Sequence, residues 1–475
     1  MTYAGPDITA ELGGAGMGAA VARNPLTATA PSDVIAEIDG VSVEALMQEY
    51  GSPLFVLSER VMRQRAEAQR RAFRERYRKV EFAWSFKTNP LDAVCRVFRS
   101  EGWMAEVVSS YEYGKARQLG YPGREVIING PYKREATVRR ALGEGALIQI
   151  DNWDELLMLE GIAAELGGPF DVGLRVMIPT GRAPTWSKFG FSATNGEAHQ
   201  AALRLIRNPA LRLHTLHTHI GTYVLDPEAY RVATQVLLGL REALREETGH
   251  LVGCLNLGGG FASDSLLHGM AGPASSVIPS IDRYAEAITG PLNQLPARER
   301  PLLRLETGRH LVDNAGWLLS TVVVVKGRGQ PRSAPPEGVA AKTGWTGPAE
   351  LPQRPGYVLD AGVNLLYTAS WFAIQASPAQ PGAAPVEPVR LLGDLCMEID
   401  VIREHVYLPR LQTGDRLVLH PVGAYNINQS MTFIHLRPAV VMIDAQGRPR
   451  VIRRREELAD AGSLEETPEK LARSA

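Results

Sequence analysis

"EFAWSFKTNP" (residues 81–90) begins as a buried strand, Phe82, Ala83, Trp84, Ser85 and Phe86, and sets a lysine, Lys87, where that strand should end. Asn89 and Pro90 then break the chain into a new segment. A surface lysine capping a strand is the ordinary reading of such a stretch. The surrounding chain weighs against it, because the same pattern recurs. From about residue 80 a short apolar strand, a turn and a helix-like stretch follow one another repeatedly. The strands are "VEFAWSF" (80–86), "AEVVS" (105–109), "EVIIN" (125–129), "LIQI" (147–150), "DVGLRVMI" (171–178), "LRLHTLHTHI" (211–220), "CLNLG" (254–258) and "LLRLE" (302–306). Stretches such as "PEAYRVATQVLLGLREALREE" between them have apolar residues at helical spacing. Eight strands alternating with helices predict a (β/α)8 barrel, with a doubly wound open sheet as the alternative.

After residue 315 the pattern turns β-rich, in "WLLSTVVVVKG", "VRLLGDLCMEIDVI" and "TFIHLRPAVVMID". The expected organisation is a leader (1–34), a barrel (35–315, with 35–55 free to pack on the β domain), a smaller β-rich domain (316–455) and a charged tail (456–475). A Pro/Gly-rich surface loop is expected at 327–356.

Bulk composition narrows the function classes. The 475 residues hold 51 Lys and Arg against 52 Asp and Glu, so neither nucleic acid nor an anionic membrane is the expected partner. Three separated cysteines, Cys95, Cys254 and Cys396, suit a reducing cytoplasm better than a disulfide framework. No apolar run reaches membrane-spanning length, and the Gly/Ala-rich start lacks the basic region of a signal peptide.

In a barrel of this kind chemistry gathers where strands end. Four such ends carry Lys87, His219 in "HTHIGT", Gly258, Gly259 and Gly260 in "NLGGGF", and Glu306 with Arg309 in "LETGR". Each has a plain reading as a cap, a tight turn or an ion pair. Together they offer an amine, a backbone cradle for an anion, a carboxylate able to keep a ring nitrogen protonated, and an imidazole to lie on a ring. That set describes a pyridoxal-phosphate site with Lys87 bonded to the cofactor. The buried approach to Lys87 is expected to lower its pKa and leave it nucleophilic. His217 and His219 at i, i+2 also resemble the HxH pair of barrel metal hydrolases. The later histidines show no ligand spacing, and no metal is expected.

These motifs, in order, resemble the barrel-type (fold type III) pyridoxal-phosphate decarboxylases, the family of diaminopimelate, ornithine and arginine decarboxylases. "FKTN", "EVVSSYE", "SKFGF", "LHTHIGT", "LGGGF", "ETGR", "GDLCMEID" and "GAYN" carry the likeness over roughly residues 40–445. The resemblance implies pyridoxal 5'-phosphate as cofactor and decarboxylation of an amino acid. It implies that Glu106 stands in the family's usual Asp place, that His219 stacks on the ring, and that Thr222 and Tyr425 touch the phosphate. It further implies a homodimer in which Cys396 reaches the neighbour's barrel as a catalytic residue.

Departures from the family pattern bear on the substrate. The Arg and Tyr of the carboxylate-gripping Arg-Pro-x-x-Tyr element of diaminopimelate decarboxylases are Thr368 and Phe372 here, and the acidic residue after the cysteine is Met397. Asp360 matches loosely an aspartate that ornithine decarboxylases use for a distal amine. Thr368, Trp371 and Met397 imply a less charged or bulkier substrate than diaminopimelate, of specialised metabolism or tethered to a carrier. An alanine-type racemase, and a pyridoxal-phosphate carrier or regulator without activity, stand as alternatives.

Overall fold

The computed structural model of the protein describes residues 33–270, 272–327, 355–381 and 386–466. The leader and the Pro/Gly-rich loop fall almost wholly outside these residues, as does the end of the tail.

The first long strand, β1 (Leu54–Ser58), leads into α1 (Glu59–Arg74), whose N-terminus is capped by the Ser58 side chain accepting from the Val61 amide. α1 buries Met62, Ala66, Gln69 and Phe73, one stripe at helical spacing, against the barrel. The barrel strands follow: β2 (Val80–Ser85), β3 (Met104–Val107), β4 (Val126–Ile128), β5 (Leu147–Ile150), β6 (Phe170–Met177), β7 (Leu211–His217), β8 (Cys254–Asn256) and β9 (Leu302–Thr307). Each pairs in parallel with the next, and β9 pairs back onto β2, with Glu306 opposite Ala83. The sheet is therefore a closed eight-stranded barrel, not the open alternative.

Alternation along the strands decides what faces inward. In β2, Phe82 meets Phe73 of α1 and Trp84 stacks on Phe98 at 4.1 Å between ring centres, so both point out to the helices. Ala83 then points inward, where it packs with Ile127 and Leu147. Continuing the same alternation, the last inward positions are Ser85, Glu106, Asn129, Arg175, His217, Asn256 and Glu306. One end of the barrel is thus filled by apolar side chains over an Arg304–Glu81 pair at 2.7 Å, and the other is lined by polar ones.

The β domain is built on β10 (Gly316–Lys326), which pairs antiparallel with β1, and on β11 (Gly356–Leu359), β12 (Gln375–Pro378), β13 (Glu387–Leu392), β14 (Val401–Leu408), β15 (Arg416–His420), β16 (Val440–Ile443) and β17 (Pro449–Arg453). β1 also pairs in parallel with β16. Ile38, Val43, Leu46, Leu54 and Val56 accordingly share a core with Leu319, Val418 and Val441. The first described segment is part of the β domain, and the barrel is an insertion between β1 and β10. Among the described residues no helix is long and apolar enough to cross a membrane.

Candidate active site

Lys87 stands in a single 3-10 turn, Phe86–Thr88, directly after β2. The β domain clamps this turn from above. The Tyr425 amide donates to the Thr88 carbonyl at 2.9 Å, and Asn428 Nδ2 donates to the Lys87 carbonyl at 2.5 Å. The Lys87 amine projects into a cavity of about 1460 Å3 at the polar end of the barrel. There it donates to Glu106 Oε2 at 2.6 Å and to Ser85 Oγ at 2.8 Å.

Glu106 and Glu306 are both buried, and a single side chain lies between them. Asn129 Nδ2 donates to Glu106 Oε1 and to Glu306 Oε2, each at 2.9 Å. Asn256 Nδ2 donates to Glu306 Oε1 at 2.7 Å, and His217 Nε2 stands 3.4 Å from Glu306 Oε2. Burial pushes the Glu306 carboxyl up, but His217, with Lys87 and Asn256, outweighs it and holds the group below the ordinary carboxylate range.

For Lys87 the sequence expectation is overturned. Burial does press the amine down, yet the Glu106 carboxylate at 2.6 Å, helped by Tyr425 and Glu306, raises it above the usual lysine value. An ammonium ion, not a free amine, is the resting form. His219 behaves oppositely: burial, then Arg175 and Lys87, holds it well below the usual imidazole value, so it is neutral. The strand expected over 211–220 ends at His217, whose parallel pairing with Asn256 is completed by the Thr218 amide donating to the Asn256 carbonyl at 2.8 Å. His219 is therefore on a loop, where its Nδ1 accepts from the Gly259 amide at 3.1 Å. The two histidines do not converge, and among the described residues no three His, Cys, Asp or Glu side chains gather as metal ligands.

The glycine turn is dictated by close approach. A Cβ on Gly259 would lie 2.1 Å from the Glu306 carbonyl, and one on Gly260 would lie 2.2 Å from the Gly221 carbonyl. Gly258 and Gly260 both adopt positive φ. Gly260 borders the cavity, together with Thr222, Arg309 and Tyr425. The Arg309 guanidinium lies between the Phe372 and Tyr425 rings, 4.4 and 5.0 Å from their centres, and donates to Asp313 at 3.1 Å. Its Nε is buried and has no partner among the described residues. An anion at this end of the cavity would satisfy it. An amine, an orphaned arginine donor beside a side-chain-free turn, a carboxylate and a neutral imidazole thus fit pyridoxal phosphate, end for end.

Four of the residues singled out in the sequence fall differently. Asp360 is outside the cavity: its Oδ1 accepts from Ser320 Oγ at 2.7 Å and the Thr321 amide at 2.9 Å, bracing β10 to the chain after β11. Thr368 lines the cavity but is only 2% exposed, and its hydroxyl donates to Asn426 Oδ1 at 3.0 Å. Cys396 and Met397 lie on a loop after β13, beside a separate groove of the β domain, and Cys396 is exposed. Trp371 does line the cavity, edge-on to Tyr367. Sequence reasoning passed over Ser85, Asn129, Arg175, Asn256 and Trp186. The first four sit at the last inward position of a strand, the parity signal that would have found them. Trp186 stands edge-on to His219 at 5.3 Å and has no such signal.

Comparison with known proteins agrees with this geometry. Residues 63–313 match the family described as "Pyridoxal-dependent decarboxylase, pyridoxal binding domain". The diaminopimelate decarboxylase of Actinosynnema pretiosum subsp. auranticum is 31% identical over 92% of this chain and 91% of its own. That of Bacillus subtilis (strain 168) is 28% identical over 90% and 94%. The crystal structure of diaminopimelate decarboxylase from M. jannaschii superposes with a TM-score of 0.80 at 25% identity, covering 93% of this chain and 98% of that one. The chain belongs to the pyridoxal-dependent decarboxylases. It is a carboxy-lyase that uses pyridoxal phosphate and acts on an amino acid.

Proposed function

We propose that the protein removes the α-carboxyl group, as CO2, from an amino acid whose far end is neutral or bulky, a specialised metabolite or a carrier-tethered residue and not free diaminopimelate. The observation that carries this is the wall formed by Thr368, Trp371 and Phe372. Where the family's diaminopimelate enzymes carry an arginine, Thr368 is buried and spends its hydroxyl on Asn426. Phe372 packs on Tyr223 and on the Arg309 guanidinium, which leaves an aromatic surface where a carboxylate would need a cation.

Within the cavity, Lys87 would bond the cofactor aldehyde, while Arg309, Thr222, Tyr425 and the backbone at Gly260 would take its phosphate. The neutral His219 imidazole would lie on the ring. Glu306, ionised and buried, would hold the proton on the ring nitrogen. Pyridoxal phosphate bound there supplies an electron sink for the pair left by departing CO2. Glu106 would receive the proton that Lys87 must shed before it can act as a nucleophile.

CO2 release from meso-diaminopimelate, lysine, ornithine, arginine and glutamate tests the substrate reading. All five are expected to turn over at least about 100-fold more slowly than the cognate substrate. Efficient decarboxylation of diaminopimelate would sink it.

Among the described residues no thiol lines the cavity of one chain: Cys95 and Cys254 are buried elsewhere, and Cys396 is exposed beside another groove. We take Cys396 of a second copy to complete the site and to place the proton that replaces CO2. Mixed Lys87→Ala and Cys396→Ala proteins, each inactive alone, should then recover roughly a quarter of the wild-type activity through hybrid dimers. No recovery after subunit exchange would mean that each chain works with its own residues.

A further inference from the structure

The amide between the two carboxylates has no assigned role. Glu106 and Glu306 flank Asn129 Nδ2 at 2.9 Å on either side, so its two hydrogens are both committed. A flipped amide would set its oxygen against two carboxylates, which fixes the orientation. Its Oδ1 is then left buried without a partner among the described residues, at a position lining the cavity. Asn129 itself is only 5% exposed. A buried, half-satisfied amide of this kind is costly unless something depends on it.

We propose that Asn129 is a positioning residue that holds the Glu106 and Glu306 carboxyl groups side by side, each aimed at a different partner, Glu106 at the Lys87 amine and Glu306 at the ring nitrogen of the cofactor. This rests on the roles given to Lys87 and Glu306 above. The charged and titratable groups around the bridge are few. Lys87 and Ser85 face Glu106 from the β2 side, and Glu112 approaches from the helix after β3. His217, His219 and the Arg175–Asp151 pair close the other side, and Tyr425 lines the cavity with Lys87. None of these donates to both carboxylates.

The consequence is a shift in when Lys87 can lose its proton. A hydrogen bond donated to a carboxylate stabilises its charge, and removing the donor makes the carboxylate cling harder to the neighbouring proton. Cofactor uptake by the apoprotein, followed by absorbance, needs the neutral Lys87 amine and therefore reports that proton. In Asn129→Leu, close in shape but without the donor, the midpoint of the uptake rate against pH should move up by about one unit. Below the midpoint uptake then slows by about tenfold. Asn129→Asp, the same shape again, adds a third carboxylate and should move the midpoint further up. Its uptake should approach that of Asn129→Leu only in acid, where the new carboxyl carries a proton.

A merely structural Asn129 would lower the plateau rate and leave the Asn129→Leu midpoint with that of the wild type, and that result would overturn the proposal. The underlying reading fails separately. If Lys87→Ala took up the cofactor with the wild-type spectrum and pH profile, Lys87 would not be the bonding amine, and the bridge would have nothing to position. Asn129→Ala removes the donors without adding charge or bulk and should show the same upward shift, so an unmoved midpoint there overturns the proposal even if the leucine variant fails to fold.

Discussion

Lys87→Ala protein is expected to fold, to bind pyridoxal phosphate only reversibly, and to release CO2 at least about 10⁴-fold more slowly than the wild type. Several features converge on this lysine. Among the described residues it is the only amine that reaches Glu106, at 2.6 Å, and its turn is held from the β domain through Thr88 and Asn428. Alanine removes the proposed nucleophile and leaves Glu106 with Ser85 and Asn129 alone. Borohydride reduction followed by peptide mass analysis separates covalent from reversible binding. Label on the peptide holding residue 87 in the wild type, and on none in the variant, is the expected outcome. Label retained elsewhere, together with preserved activity, would show that another amine carries the cofactor.

The raised pKa of Lys87 gives the cofactor-loading step a direction with pH. The folded-state pKa lies above the ordinary lysine value, so the ammonium form and its contact with Glu106 are present below that value. The stability they contribute is lost as pH rises through the folded-state pKa. Uptake of the cofactor should accordingly quicken toward alkaline pH while the apoprotein loses part of its stability. Burial alone would have reversed the stability trend, though not the direction of uptake. Glu106, a single buried residue from the neighbouring strand, is what reverses the sign.

That reversal illustrates what could be read before the fold was known. Strand order and closure followed from periodicity, because parallel strands buried on both faces form continuous apolar runs that turn residues interrupt. Lys87, the glycine turn and Glu306 were legible because each breaks such a run at its end. Asn129 and Asn256 were not, although both lie within strands drawn from the sequence, "EVIIN" and "CLNLG". A lone asparagine at a strand end reads as a turn former, and only closure of the barrel brings Asn129 on β4 between carboxylates on β3 and β9. Arg175 was hidden in the same way: it is buried, pairs with Asp151 at 3.3 Å and lies over Phe189. Asp360 illustrates the converse error. It was singled out by a loose match to ornithine decarboxylases, but a hydroxyl and a backbone amide of β10 take up its carboxylate. A loose match carried no information about the cavity.

Glu306→Gln is the second large effect and separates chemistry from cofactor binding. The amide is nearly isosteric, and Asn256 and His217 stay in place around it. Cofactor capture by Lys87, some distance across the cavity, is expected to survive. What is lost is the negative charge that would keep a proton on the ring nitrogen, so the rate of CO2 loss should fall on the order of 10³-fold, about 4 kcal/mol of barrier. The native carboxyl is held below the ordinary range by His217, Lys87 and Asn256 against the pull of burial, so its charge persists from neutral pH well into acid. Wild-type turnover should therefore show no acid limb attributable to Glu306 near neutrality. Glu306→Asp keeps the charge on a shorter arm and should retain more activity than the glutamine variant at every pH. Equal losses in the two would point to shape, not charge, as what the position supplies. A glutamine variant with near-native turnover would mean that the electron sink works without a protonated ring. In that case the buried pair of carboxylates around Asn129 would exist for Lys87 alone.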